Sequence, residues 1–318
     1  MLISAKMVYK LCRSTKAYAF LWTMKKAMFQ LHLGVFLVGF TAILGALISL
    51  HSFWLVWYRL VLTIVSMGAL LLLRQKQLAF PWLVWKKLLG IGALMALHWV
   101  FFYASIKAAN VSVALVCFAS VGFFTALLEP ILLKKKGQSA EALLGLLGMA
   151  GILLIYQFDT RYRLGIGLGL VSALLAAWFS ILNKKQIDLV PTEQMVWMEL
   201  SGGWILLSVL ALGHGLVSGE GIPLPQKMDW VWLLVLSWVC TVWAQQLLLA
   251  ALKKVSAFTL NLTLNLEPVY GILLAFWILK ENQVLGWSFY AGLALLVTSV
   301  AIQMQRVKKQ TQALKIQQ

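Results

Sequence analysis

Ten runs of about 20 predominantly apolar residues follow one another along this chain, and few folds accept that pattern. They cover roughly 30–50, 54–73, 87–107, 111–133, 140–157, 164–183, 193–213, 229–251, 256–279 and 283–303. A helix needs about 20 apolar residues to cross the hydrocarbon of a bilayer, and there every backbone polar group must be satisfied inside the segment. The predicted fold is an all-α integral membrane protein with ten transmembrane helices. Short polar breaks separate the runs, among them His51-Ser52, Lys134-Lys135-Lys136-Gly137, the Gly/Pro-rich 214–228 loop and Lys280-Glu281-Asn282.

Composition closes off the other classes. With 62% hydrophobic and 12% charged residues in 318, a water-soluble globule could not hide its apolar surface. Three scattered cysteines, Cys12, Cys117 and Cys240, make no disulfide framework and have no metal-ligand spacing. The formal charge of +17 would point to nucleic acid in a soluble chain. Here the basic residues sit between apolar runs, so the expected partner is the lipid bilayer and not nucleic acid. With the N-terminus inside, cytoplasmic segments hold 21 Lys and Arg against five in outer loops, namely Lys107, Arg161, Arg163, Lys227 and Lys280. That asymmetry predicts cytoplasmic N- and C-termini. Tryptophans near span ends, such as Trp82, Trp277 and Trp287, read as an interfacial belt.

Residues 1–29 form a basic arm without acids, a long apolar core or a cleavage site, so they do not read as a secretory signal. An overcalled start is the favoured reading, with Met24-Lys25-Lys26 an ordinary beginning, and a basic amphipathic arm is the alternative. Residues 304–318 form a basic cytoplasmic tail.

Ten spans divide into five and five, and an odd number per half makes the halves point in opposite directions. Residues 103–134 align without gaps on 249–280, with Ala104/Ala250, Lys107/Lys253, Leu127-Leu128/Leu273-Leu274 and Leu133-Lys134/Leu279-Lys280 coincident. The expected domains are two inverted repeats, 30–157 and 164–303. Such repeats are a recurring plan of secondary transporters, with the solute site near the midplane.

The stretch LNLEPVYGILLAFWILKENQVLGWSFYAGLALLVTSVAI resembles the closing segment of EamA-type carriers of the drug/metabolite transporter superfamily. The resemblance rests on Pro268, Glu281, Gly286 and Gly292, with FFTALLEPILLKKKGQSAEALLGLLGMAGILLI as a related stretch in the first half. Arg59 in WYRLVLT looks like the family's second-helix arginine. The first half departs from the pattern, with Gly122 where the repeat register expects Pro and Lys135 where it expects Glu. The resemblance implies an inner-membrane carrier working by alternating access, moving a small metabolite or amino acid and favouring export.

The residues themselves offer little to an enzyme. His32, His51, His98 and His214 form no metal-binding motif, and no nucleophile elbow or phosphate loop is present. No cofactor, metal or catalytic residue is expected, and a membrane-embedded enzyme built from dispersed residues is the alternative reading. Intramembrane polar groups are expensive and therefore informative. Glu267 lies near the centre of the ninth run, where Thr259, Thr263, Glu267 and Tyr270 fall within about 80° on a helical wheel. Asn261 and Asn265 lie on its opposite side and read as interhelical glue or caps. Pro268 is expected to break the helix. His98, Trp99 and Tyr103 on the third run and Gln245 on the eighth complete the candidate substrate or coupling set. Glu267 and His98 are the central titratable candidates for proton coupling. Arg59 and Glu199 occupy mirrored depths on related helices and are read as structural anchors. Glu129, close to Lys134, is read as an interfacial salt contact or cytoplasmic gate.

Overall fold

In the computed structural model, which describes residues 5–134, 139–186, 190–219, 221–252, 254, 263–264 and 266–316, nearly every residue is helical. No strand occurs among the described residues. In chain order the helices are α1 (Ala5–Leu47), α2 (Ser52–Leu73), α3 (Trp82–Ala108), α4 (Val111–Phe118), α5 (Val121–Leu133) and α6 (Ser139–Phe158). Then come α7 (Arg163–Lys184), α8 (Thr192–Ser218), α9 (Lys227–Leu234), α10 (Ala244–Leu252), α11 (Glu267–Ile278) and α12 (Trp287–Ile316). A π-helical stretch, Val235–Trp243, joins α9 to α10.

Among the described residues seven stretches are long and apolar enough to cross a membrane: Lys25–Leu47, Ser52–Leu73, Trp82–Ala108, Val111–Leu133, Thr160–Lys184, Thr192–Val217 and Lys227–Leu248. Three shorter apolar helices, Leu143–Gln157, Glu267–Ile278 and Trp287–Ser299, accompany them. The chain is thus a multi-pass membrane protein, with boundaries that shift from the sequence reading where a helix ignores local polarity. The basic segment ahead of the first span continues α1 back to Ala5, since nothing between Ala5 and Leu47 interrupts the helical ladder. The fourth apolar run is divided at Ala119-Ser120 into α4 and α5.

Helices α5 and α11 have matching ends. Helix α5 starts at Val121 and is closed by Lys134 in the left-handed conformation, φ 51°. Helix α11 starts at Glu267, and Lys280 just beyond its end is left-handed as well, φ 56°. Both pairs are separated by 146 residues, the offset of the 103–134/249–280 register.

Helix α3 packs between α7 and α8, α6 packs along α12, and α1 lies against α10, α11 and the π stretch. The α3–α8 contact is close because residue 92 is glycine: a Cβ there would overlap the Glu199 backbone. One large apolar cluster fills the centre, drawing Leu55 and Leu60 from α2, Phe102 and Tyr103 from α3, Leu115 from α4 and Leu236 from the π stretch. Large apolar side chains such as Leu73, Ile131, Leu143 and Leu216 face outward, as a lipid-facing surface requires.

The two ends of the bundle are fastened differently. At one, Asp229 accepts from the Ser49 backbone N–H (2.7 Å) and hydroxyl (2.6 Å), and Lys107 donates to the Ile48 carbonyl at 2.8 Å. Beside them Glu281 accepts from Val111 N–H (2.9 Å), Ser112 N–H (2.8 Å) and Ser112 Oγ (2.5 Å). A carboxylate from a distant turn thereby caps the free N–H groups at the start of α4. At the other end Arg74 reaches Glu193 at 3.2 Å and Gln246 at 3.0 Å, and Lys184 pairs with Glu129 at 2.7 Å. Glu129 thus finds its cation on α7 and not at Lys134.

Candidate functional site

The central cluster is interrupted by a cavity of about 160 Å³. Helix α1 lines it with Val38 and Thr41, α2 with Arg59, and α3 with His98, Trp99, Phe102 and Tyr103. Phe118, at the end of α4, forms part of the wall. Cys240 and Thr241 enter from the π stretch, Ala244 and Gln245 from α10, and Glu267 from the start of α11.

Each polar side chain is positioned by its helix. Arg59 is the eighth residue of α2, about 10 Å along its axis, and is only 5% exposed. Its side chain does not run outward to the membrane edge, because three partners hold it inward. Nη1 donates to Tyr103 Oη at 2.8 Å, while Nε and Nη2 donate to Thr241 Oγ1 at 3.2 and 3.0 Å. The guanidinium lies 3.7 Å from the centroid of the Trp99 ring, a cation–π contact. Tyr103 fits where it does because residue 45 is glycine: a Cβ there would overlap its ring. Thr241 is presented by the π stretch, where its hydroxyl donates to Leu236 O, five residues back, at 2.8 Å. Departures from α-helical winding of this kind are frequent at functional sites.

His98 is buried and stacks on Phe118 at 5.1 Å. Ser172 Oγ donates to the His98 backbone carbonyl at 3.1 Å, so toward the ring both Ser172 oxygens serve as acceptors. Nδ1, 2.7 Å from Oγ and 3.1 Å from the Ser172 carbonyl, therefore carries the proton, and Nε2 is left as an acceptor. Glu267 stands in the first turn of α11, at the positive end of the helix dipole. Pro268 follows it within that first turn, where a missing N–H costs no helical bond. Among the described residues no hydrogen bond joins Glu267 to His98 or Gln245, and no ion pair joins it to Arg59.

The structure therefore brings Glu267, His98, Trp99, Tyr103 and Gln245 together, with Arg59 among them. Tyr270 lies elsewhere: its hydroxyl is 3.1 Å from His32 Nδ1 on α1, and its ring meets Phe36 edge-on. Thr263 is buried but does not line the cavity. Glu199 is off the cavity, buried on α8, where Oε2 accepts from Asn183 Nδ2 at 3.2 Å. Thr259, Asn261 and Asn265 lie outside the described residues. Sequence reasoning missed Arg59 as a lining residue, although an arginine so deep in an apolar run was itself a signal. Val38 and Thr41 carried no comparable mark.

Comparison with known proteins bears on this geometry. The chain resembles "Uncharacterized transporter sll1164" from Synechocystis at 25% identity over 148 residues, 46% of this chain. The match spans 41% of that relative, so the chain covers less than half of its length. A solved crystal structure shares the fold, with a TM-score of 0.58 at 20% identity over 87% of this chain and 96% of the other. The model of the EamA-like transporter family matches residues 25–157 and again 163–304. This chain, a multi-pass membrane protein, belongs to the EamA-like transporter family of the drug/metabolite transporter superfamily.

Proposed function

We propose that the protein is an inner-membrane exporter of a small metabolite or amino acid, working by alternating access through the central cavity. The observation that carries this reading is the convergence of Arg59, His98 and Glu267 on one small space inside an otherwise apolar bundle. Ionisable groups at such depth are costly and mark solute or ion paths. In this reading Glu267 contacts the solute or couples its movement to protons. Trp99, Tyr103 and Gln245 shape the wall, and Tyr270 and Thr263 support α11 from its far side. Glu199 anchors the α7–α8 pair, and both termini are cytoplasmic.

We further read the chain as ten spans in two inverted repeats, 30–157 and 164–303. Helices α4 and α5 count as one interrupted span, α9 and α10 with their π link as another, and α11 as the ninth. Support comes from the matched starts of α5 and α11 and their left-handed terminal lysines, 146 residues apart. Interrupted helices in corresponding positions of two halves are where transporters of this plan bind solute.

The test is transport by purified protein in sealed vesicles. A solute should cross chemically unaltered, and recovery of a modified product would favour the enzyme reading. Glu267→Gln keeps shape and hydrogen bonding while removing charge. It should abolish transport or flatten its pH dependence; normal rate, affinity and pH profile would remove Glu267 from the site.

A further inference from the structure

Where the C-terminal ends of α5 and α7 meet, a cleft of about 490 Å³ opens among Leu132, Leu133, Lys134, Lys184 and Lys185. Lys184 is paired with Glu129 at 2.7 Å. Lys185 donates to the Leu132 carbonyl at 2.8 Å, and no hydrogen bond or ion pair engages Lys134 among the described residues. Cations complement a helix C-terminus, but three of them against one carboxylate leave the cleft with a surplus of positive charge. An apolar stripe runs up to this cleft on each helix. On α5 it passes through Leu127 and Ile131 to Lys134, with Ile131 72% exposed. On α7 it passes through Val171, Leu174 and Trp178, each exposed, to Lys185 just beyond the last turn. Steps of three, four and seven residues keep each set on one helix face. From Lys185 back to Val171 the α7 stripe measures about 20 Å.

We propose that this cleft holds the phosphate of an anionic phospholipid between Lys134 and Lys185, with an acyl chain lying along the Val171–Leu174–Trp178 stripe. Basic pockets between transmembrane helices suit acidic headgroups, and a lysine ammonium is an effective point charge for phosphate. A soluble anion would meet the same lysines. Yet two of the five lining side chains are leucines, and both exposed stripes end at the cleft. The ligand that answers all of these features is charged at one end and apolar at the other. A zwitterionic headgroup brings its own ammonium to a cleft already in cationic surplus, so it is the poorer match. Glu129 competes for the same cations and already holds Lys184, which leaves Lys134 and Lys185 as the principal contacts. Bound there, the lipid bridges α5 and α7 at the end of the bundle otherwise held by exposed ion pairs. The site is separate from the central cavity, and the proposal does not depend on what the protein carries.

Calorimetric titration of the purified full chain in an uncharged detergent tests this with three probes: dioctanoyl-phosphatidylglycerol, dioctanoyl-phosphatidylcholine and inorganic phosphate. The phosphatidylglycerol should bind about tenfold or more tighter than either of the others. Combining Lys134→Gln with Lys185→Gln should bring it down to the level of the phosphatidylcholine and leave the latter unchanged. Combining Lys86→Gln with Lys87→Gln, two exposed lysines of α3, should leave the preference intact. Glu129→Gln removes the competing carboxylate and should tighten phosphatidylglycerol binding severalfold. Equal affinity for the two lipids overturns the proposal. Inorganic phosphate bound as tightly as the phosphatidylglycerol overturns it too, because the cleft would then be a site for a free anion. An equal loss from both lysine pairs would mean diffuse surface charge and no site. Should the Lys134/Lys185 variant fail to fold, Glu129→Gln decides, and binding that stays the same or weakens overturns the proposal.

Discussion

The end of the bundle that carries Glu281 and Asp229 and the end that carries Arg74 and Glu129 both tie distant parts of the chain together with acidic side chains, yet by different physics. Glu281 is 7% exposed and Asp229 3%, and both accept from backbone N–H and serine hydroxyl groups. At the other end the ion pairs face solvent, with side-chain exposures of 43% and 23% for Arg74 and Glu193 and 58% and 30% for Lys184 and Glu129. Buried carboxylates that satisfy otherwise orphaned donors are costly to remove, whereas exposed pairs contribute little. In the proposed alternating-access cycle both ends must open in turn, and in this structure the first end is the more tightly fastened of the two.

Glu281→Ala should produce the largest effect. It strands Val111 N–H, Ser112 N–H and the Ser112 hydroxyl at the start of α4, a loss of about 2–4 kcal/mol read in chemical or thermal unfolding in detergent. Asp229→Asn keeps one acceptor and loses the charge, so about 1–2 kcal/mol is expected by the same measurement. Glu193→Ala, at the looser end, should cost under about 1 kcal/mol, and the difference from wild type should shrink as salt rises. Equal losses at Glu193 and Glu281 would erase the comparison.

Asp159 sharpens it further, since it is an acidic residue in a turn outside the spans, 11% exposed at its side chain, whose ion-pair partner faces solvent. The side-chain hydrogen bonds from Arg161 hold its carboxyl below the ordinary value of 3.8. Its folded-state value is depressed, so its contribution is present above the ordinary value and is lost as pH falls through the lowered one. With Arg161 64% exposed, that contribution is small. Melts of Asp159→Asn and wild type at neutral pH should agree within about 1 °C. A larger gap that survives acidification below the carboxylate range would mean that position in the bundle, and not burial, decides the cost.

The membrane-spanning character was legible in the apolar runs, because a period of about 20 residues between basic turns has one physical solution in lipid. The aromatic and histidine face of α3 was legible too: His98, Trp99 and Tyr103 share the cavity. What sequence did not reveal depends on partners far along the chain. Depth alone marked Arg59 as an anchor, but Tyr103 and Thr241 hold it at the cavity, and the latter is 182 residues away. The π stretch that presents Thr241 has no marker in VLSWVCTVW. Tyr270 shared a helical-wheel stripe with Glu267, yet a few tens of degrees on α11 separate a cavity wall from a contact with His32 and Phe36. Glu281 was noted as a family feature, and its role as a cap on α4 needed the turn and the helix to meet in space.

In the proposed mechanism one cavity serves both faces of the membrane. Cys240 reports on it directly, because it lines that cavity and is 2% exposed in this structure. A chain retaining Cys240 alone, with Cys12 and Cys117 replaced by Ser, can be challenged with an impermeant thiol reagent from each side of oriented vesicles. Reaction from both sides is expected, and a cross-link holding the Glu281 end shut should abolish it from that side and preserve it from the other. Reaction from one side only, with or without the cross-link, would contradict alternating access through this cavity.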